Sequence, residues 1–145
     1  MPYATNQGVR LYYEVMGRGD PILLIHGFFS SLEDWKEFGY VERLQQDYQL
    51  ILLDVRGRGG SDKPHNPEAY SLKLLVDDIV LVLDELKLKK THFLGYSMGG
   101  WIGFGMAKYA PDRLHSLMIG GAHPYASNKG HLRRWYSQPR EEWAA

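Results

Sequence analysis

Two short apolar runs predict strands that are buried on both faces. They cover residues 22–25 and 50–53, and each ends at polar or glycine-rich residues. Strands of a parallel sheet covered by helices on both sides have this pattern. Two more strands are predicted at 92–94 and 114–119, and partial alternation over 9–15 predicts a half-exposed strand before them.

Helical periodicity separates these strands. The spacing predicts one amphipathic helix within 32–48, a longer helix that begins after the N-cap candidate Ser71, and a third helix over 101–109. The first two carry inward-facing stripes: Trp35, Phe38, Val41 and Leu44 in one, and Leu72, Leu75, Val76, Ile79, Val82, Leu83 and Leu86 in the other. Strands that alternate with helices predict an α/β fold with a mostly parallel, helix-covered sheet.

A G-x-S-x-G sequence lies between a predicted strand and a predicted helix. Its residues are Gly95, Tyr96, Ser97, Met98 and Gly99. In that context the pattern is typical of a nucleophile elbow, a strained turn that projects the serine hydroxyl from the carboxyl end of the sheet. The alternative is a glycine-rich turn whose serine only caps the helix.

Three motifs in sequence carry a resemblance to a known family. His26-Gly27-Phe28 follows the first buried strand, residues 54–62 (DVRGRGGSD) follow the next, and residues 95–100 hold the serine. From about residue 8 to residue 125, their order and spacing resemble the α/β-hydrolase fold family, in its branch of esterases, lactonases, C–C hydrolases and cofactor-free haloperoxidases.

The resemblance implies roles for the residues around the serine. The Phe28 and Met98 amides would stabilise an oxyanion, and His26, Gly27, Phe29, Gly95, Tyr96 and Gly99 would shape the site. It implies that His26 is not the catalytic base and that residues 54–61 form a supporting loop. For Phe29 two roles remain open, an apolar wall for the acyl group or a cover for the sheet edge.

The catalytic acid and base are harder to assign. In this family they follow the serine in the order acid, then histidine. Of the later acids only Asp112 precedes a histidine, and it lies at the amino end of the last predicted strand, opposite Ser97. His123 follows that strand at its carboxyl end, so it is a candidate base or a loop histidine that lines the site or faces solvent. We expect the family's usual acid and base to follow two further strands that this sequence does not contain.

Composition excludes several classes of protein. Among the 145 residues, 17 basic and 17 acidic side chains give zero formal net charge, which argues against a nucleic-acid partner. The sequence has no cysteine, clustered metal ligands, P-loop or Rossmann fingerprint, so we expect no metal and no cofactor. No apolar run approaches the roughly 18 residues of a membrane span, and residues 1–10 lack a signal-peptide core. We therefore expect a cytoplasmic protein with no membrane partner.

These observations predict a truncated α/β-hydrolase core over 1–125 and the start of a cap over 126–145. The predicted function is that of a serine hydrolase acting on an ester, lactone or related small-molecule carbonyl substrate through an acyl-enzyme at Ser97. The alternative is a non-catalytic or partner-dependent module that binds small apolar ligands. In either case we expect a homodimer, formed through the unpaired last strand at the sheet edge or through the cap segment.

Overall fold

Six strands form one sheet in a computed structural model that describes residues 2–124. In chain order they are β1 (Tyr3–Asn6), β2 (Val9–Gly17), β3 (Asp20–Ile25), β4 (Tyr48–Leu53), β5 (Thr91–Tyr96) and β6 (Leu114–Gly120). Their order in the sheet is β1-β2-β4-β3-β5-β6. The sheet is parallel from β4 through β3 and β5 to β6, and β1 and β2 are antiparallel additions. The predicted α/β class and mostly parallel sheet are confirmed.

The helices are α1 (Glu33–Glu37), α2 (Tyr40–Leu44), α3 (Leu72–Glu85) and α4 (Met98–Tyr109), with short 3-10 turns at Pro67–Tyr70 and Pro111–Arg113. They cover the two faces of the sheet. Leu23 and Ile25 of β3 pack in a core with α3 and α4, whereas Ile22 and Leu24 pack in a second core with α1 and α2. This alternation explains why β3 is apolar at successive positions.

The prediction of one helix within 32–48 is wrong. The chain forms two five-residue helices, and Gly39 between them adopts a φ of 82° that ends the first. Trp35 and Val41 are buried, but Phe38 is 73% exposed, so the inward stripe does not continue through the break. A glycine takes up this left-handed geometry with no steric cost, whereas helical spacing alone gives no sign of it.

The long helix begins as predicted. Ser71 is extended, with φ −64° and ψ 149°, and its side chain accepts a hydrogen bond from the Leu74 amide at 3.3 Å. This bond satisfies one of the amides that the first helical turn leaves without an acceptor. Across residues 2–124, no helix combines the length and the apolar character needed to cross a membrane.

One edge of the sheet is formed by β6. It pairs with β5 on one side, and on its other side no strand lies within the described residues. The predicted cap segment, 126–145, lies outside them.

Candidate active site

The turns after β3, β4 and β5 meet at one end of the sheet. Ile25 pairs in register with Leu53 on one side and with Gly95 on the other, so these three strands end level. A methyl group placed on Gly27 would lie 3.7 Å from Ser97 Cβ, which puts the turn after β3 in contact with the turn after β5. The three sequence motifs therefore occupy one location.

Ser97 holds an uncommon backbone conformation between β5 and α4. Its φ is 53° and its ψ −112°, a region that L-residues with a side chain rarely occupy. Its N–H donates to the Gly120 carbonyl at 2.8 Å, and its carbonyl accepts from the Trp101 N–H at 3.0 Å. The neighbouring strand and the following helix thus hold a residue whose conformation costs about 1–3 kcal/mol.

Two glycines on either side of Ser97 make this turn possible. A Cβ on Gly95 would overlap the Gly99 carbonyl, and a Cβ on Gly99 would overlap the backbone carbonyl of Ile25. Both obstacles are main-chain atoms, which cannot rotate away as a flexible side chain can. The G-x-S-x-G spacing therefore follows from the close approach of α4 to the ends of β5 and β3.

The two predicted oxyanion donors belong to the two turns that meet at the serine, Met98 to the turn after β5 and Phe28 to the turn after β3. Met98 is the first residue of α4, so its N–H is among those for which a helix provides no internal acceptor. Phe28 follows Gly27, where an added Cβ would contact Ser97 Cβ, and the side chain of Phe28 is buried. A pair of amides near one nucleophile suits the single charged oxygen of an acyl-transfer intermediate.

His26 is buried and both of its ring nitrogens are engaged. Nε2 accepts the Val55 N–H at 3.1 Å, and Nδ1 lies 2.7 Å from the Gly27 carbonyl, to which it must donate. Burial lowers the pKa of His26 below its ordinary value. The ring is therefore neutral, holds the turn after β3 against the turn after β4, and has no nitrogen left to exchange a proton with Ser97.

Asp54 organises the loop after β4. Its Oδ1 accepts from the Leu32 amide at 2.8 Å and its Oδ2 from the Gly60 amide at 2.8 Å. The Ser61 hydroxyl donates to the Asp54 carbonyl at 2.6 Å. These bonds tie residues 54–61 to the start of α1, beside the predicted site.

A buried ion pair fixes the same loop to α3. Arg56 donates to both carboxylate oxygens of Asp78 at 2.6 Å and to the Ala69 carbonyl at 2.7 Å. The Asn6 side-chain amide adds a bond to Asp78 at 2.8 Å. Asp78 is not among the residues predicted above; the available signal was an acidic residue next to Ile79 in the inward-facing stripe of α3.

An arginine from the loop after β4, Arg58, stacks on Phe28 and Phe29 of the turn after β3. The two phenyl rings meet edge-on with centroids 4.5 Å apart, and the Arg58 guanidinium lies 4.6 Å from the centroid of Phe28. Phe29 remains 70% exposed, and it lines the cleft that contains Ser97.

This cleft has a volume of about 830 Å³ and a largely aromatic wall. Its aromatic residues are Phe28, Phe29, Trp35, Phe38, Tyr40 and Tyr96. Ser97, Ser30, Asp34 and the buried ring of His26 supply polar side chains. Asp34, Phe38 and Tyr40 were not predicted at the site, because a single helix over 32–48 would pack along the sheet.

The candidate base and the excluded acid lie at opposite ends of the sheet. His123 is exposed and follows β6 at the end where Gly120 pairs with Tyr96, one residue before Ser97. Asp112 precedes β6, whose first residue, Leu114, pairs with Thr91 at the other end. Among residues 2–124, Ser97 makes its hydrogen bonds through its main-chain N–H and carbonyl and not through Oγ, and no group of three or more candidate metal ligands occurs. His123 as the base stays a prediction. The other acids that follow Ser97, Glu141 and Glu142, and the later histidine His131 lie outside the described residues.

Known proteins are similar to this chain in sequence and architecture. The family model of the alpha/beta hydrolase fold matches residues 20–144. The chain is 36% identical over 136 residues to a candidate carbamate hydrolase, RutD, of Azorhizobium caulinodans, a match that covers 94% of this chain and 49% of that protein. It is 34% identical over 116 residues to epoxide hydrolase 4 of Mus musculus, covering 79% of this chain and 32% of that one.

A solved structure shows the same arrangement of strands and helices. Est816, described as an N-acyl homoserine lactone degrading enzyme, superposes with a TM-score of 0.76 at 36% identity over 81% of this chain and 44% of its own. The present chain spans about half the length of curated relatives such as RutD.

Proposed function

Because this chain belongs to the alpha/beta hydrolase fold family, we propose that it carries the nucleophile of a serine hydrolase. The substrate is an ester, a lactone or a related carbonyl compound. The observation that carries the proposal is the conformation of Ser97, with φ 53° at the head of α4 and beside an aromatic cleft. A strained residue that two neighbouring elements hold in place is typical of a reactive position.

In the proposed reaction, Ser97 Oγ attacks the substrate carbonyl carbon and its proton passes to a base. The carbonyl oxygen becomes an oxyanion that the Phe28 and Met98 amides stabilise. When the carbon–oxygen double bond reforms, the bond to the leaving group breaks and the leaving group takes up the proton. Water then attacks the acyl-enzyme in the same way and releases the acid.

The base in this scheme is His123, the histidine that follows β6 at the end of the sheet where Ser97 lies. A serine hydroxyl at neutral pH is a weak nucleophile and needs such a partner. His26 does not fit the role, because Val55 and Gly27 engage both of its nitrogens.

The test is hydrolysis of a short-chain nitrophenyl ester by the wild type and by Ser97→Ala. We expect the substitution to lower the rate by about three orders of magnitude or more, as loss of a serine nucleophile does. Ser116→Ala is the matched control, since Ser116 lies on β6 and its hydroxyl contacts His92 instead of the cleft. Equal, near-background rates in wild type and Ser97→Ala would refute the catalytic proposal.

Covalent labelling by a fluorophosphonate tests whether Ser97 is an activated nucleophile, independently of whether the chain completes turnover. We expect wild type and Ser116→Ala to label and Ser97→Ala not to label, and His123→Ala to label more slowly because it lacks the base. Unchanged labelling of His123→Ala would remove His123 from the mechanism while leaving Ser97 in place.

A second candidate function is a module that works only with a partner chain. The observation that favours it is the absence, within residues 2–124, of any hydrogen bond from Ser97 Oγ to an acid or a base. This candidate predicts ligand binding in the cleft without labelling or hydrolysis by the isolated chain.

A further inference from the structure

The cleft beside Ser97 carries an asymmetric charge. Asp34, in the first turn of α1, is the only lining residue within 2–124 that bears a formal charge, since His26 is neutral. Its side chain is half-buried and accepts a hydrogen bond from the Ser30 hydroxyl. In the described part of the chain, no lysine, arginine or histidine forms an ion pair with Asp34.

The cationic side chains near Asp34, those of Lys36 and Arg58, contact other groups. Lys36 binds Glu14 at 2.8 Å and Glu33 at 2.9 Å. Arg58 lies over the rings of Phe28 and Phe29 and is not among the residues that line the cleft. The carboxylate of Asp34 is therefore available to a ligand.

Aromatic rings share the cleft wall with this carboxylate. Trp35 and Tyr40 meet edge-to-face with centroids 5.0 Å apart, and Phe38 and Tyr40 are each substantially exposed. The faces of such rings attract a cation, most strongly where water is partly excluded, and a carboxylate adds direct charge pairing. An anionic group in the same place would meet repulsion from Asp34 and from the ring faces.

We propose that Asp34 and the aromatic wall form a subsite for a positively charged group, so that the cleft selects carbonyl substrates that bear an ammonium or quaternary ammonium group. A cleft of about 830 Å³ has room for such a group together with the carbonyl that Ser97 attacks. The substrate class rests on the proposed hydrolase function, but binding of the cation does not require a reactive serine.

The test compares three probes by isothermal titration calorimetry: phenyltrimethylammonium, neutral benzyl alcohol and anionic phenylacetate. We expect the wild type to bind the cation about tenfold more tightly than the alcohol, and to bind the anion most weakly. Asp34→Asn should reduce the preference for the cation to about threefold or less, the part that the rings supply. Asn keeps an oxygen that accepts from Ser30, so the local fold is preserved.

Ser30→Ala is the matched control, because it removes the hydrogen bond to Asp34 and leaves the charge. It should keep the cation preference, whereas a loss equal to that of Asp34→Asn would indicate that Asp34 only braces the loop and would overturn the proposal. The same ranking of probes in wild type and Asp34→Asn, or no binding of the cation at millimolar concentration, would also overturn it.

Ser97→Ala separates this proposal from the proposed function. We expect it to bind all three probes as the wild type does. Retained cation preference in a wild type that fails to label or hydrolyse would refute the hydrolase and support the subsite. Serine-dependent hydrolysis with no cation preference would do the reverse.

Discussion

The imidazole of His26 accepts the backbone N–H of Val55 at 3.1 Å, and this bond joins the turn after β3 to the turn after β4. The other ring nitrogen is committed to the Gly27 carbonyl at 2.7 Å. A protonated ring could not accept from Val55, so protonation breaks the link between the two turns. His26, which directly precedes the glycine that contacts Ser97, thus acts on structure through its neutral form.

Folding stability should depend on pH through His26. Burial lowers its pKa in the folded protein below the ordinary value of 6.5. The unfolded chain therefore binds more protons below about pH 6.5, so stability is complete above that pH and falls as the pH drops toward the folded pKa, by up to about 1.4 kcal/mol per pH unit. Urea unfolding between pH 5 and 7.5 measures this slope. His26→Gln should show a shallower slope, and parallel curves for the two proteins would contradict the assignment.

Two adjacent aspartates should differ sharply in their contribution to stability. Asp78 is buried and pairs with Arg56, whereas Asp77 is partly exposed and pairs with Lys73 one turn earlier on α3. Asp78→Ala leaves a buried guanidinium without its partner and should lower the free energy of unfolding by about 3–5 kcal/mol. Asp77→Ala should change it by less than about 1 kcal/mol. Equal effects in chemical denaturation would show that the Arg56 pair is not a buried anchor.

Gly99 should tolerate alanine less well than Gly105 in the same helix. A Cβ at 99 meets the Ile25 backbone carbonyl, whereas a Cβ at 105 meets the Leu72 and Val76 side chains. We expect Gly99→Ala to lower the free energy of unfolding by about 3 kcal/mol and to slow fluorophosphonate labelling, because α4 must move away from β3. Gly105→Ala gains helix propensity against a smaller clash and should lie within about 1 kcal/mol of wild type. Similar losses of stability in both variants would contradict this account.

We propose that two copies of the chain associate through the free edge of β6. Within residues 2–124 this edge has no partner strand, and Met118 on β6 is 40% exposed. Met118→Lys should shift the protein toward the monomer, because charge on an edge strand opposes pairing. Val15→Lys is the control, since Val15 is 39% exposed on β2. Sedimentation and solution scattering measure the state, and a monodisperse monomeric wild type would refute the dimer.

Much of the fold was accessible from the sequence because its signals are local. Unbroken apolar runs identified β3 and β4, whose alternate side chains enter two different cores. The strand β1 was not predicted, because its four residues are ordered mainly by antiparallel pairing with β2. The break between α1 and α2 at Gly39 was not predicted either, because a single residue with positive φ leaves the helical spacing on either side intact.

The residues of the site likewise fall into those with a local sequence signal and those whose position depends on distant parts of the chain. Ser97 and its glycines were found because main-chain crowding imposes a fixed spacing on them. Asp34 was not predicted, because its position in the cleft depends on the path of residues 26–32, which connect β3 to α1. The structural role of Asp78 likewise depends on its ion pair with Arg56, which lies 22 positions away in the chain.

The hydrogen bond from the Ser97 amide to the Gly120 carbonyl uses main-chain atoms alone, and so do the close approaches at Gly95 and Gly99. The architecture thus prescribes a location for residue 97 without prescribing which functional group occupies it. A different side chain at position 97 would therefore change the chemistry of the site while leaving these main-chain contacts in place. The names of the relatives refer to different substrates, a carbamate, a lactone and an epoxide, which agrees with the general rule that one fold carries many functions.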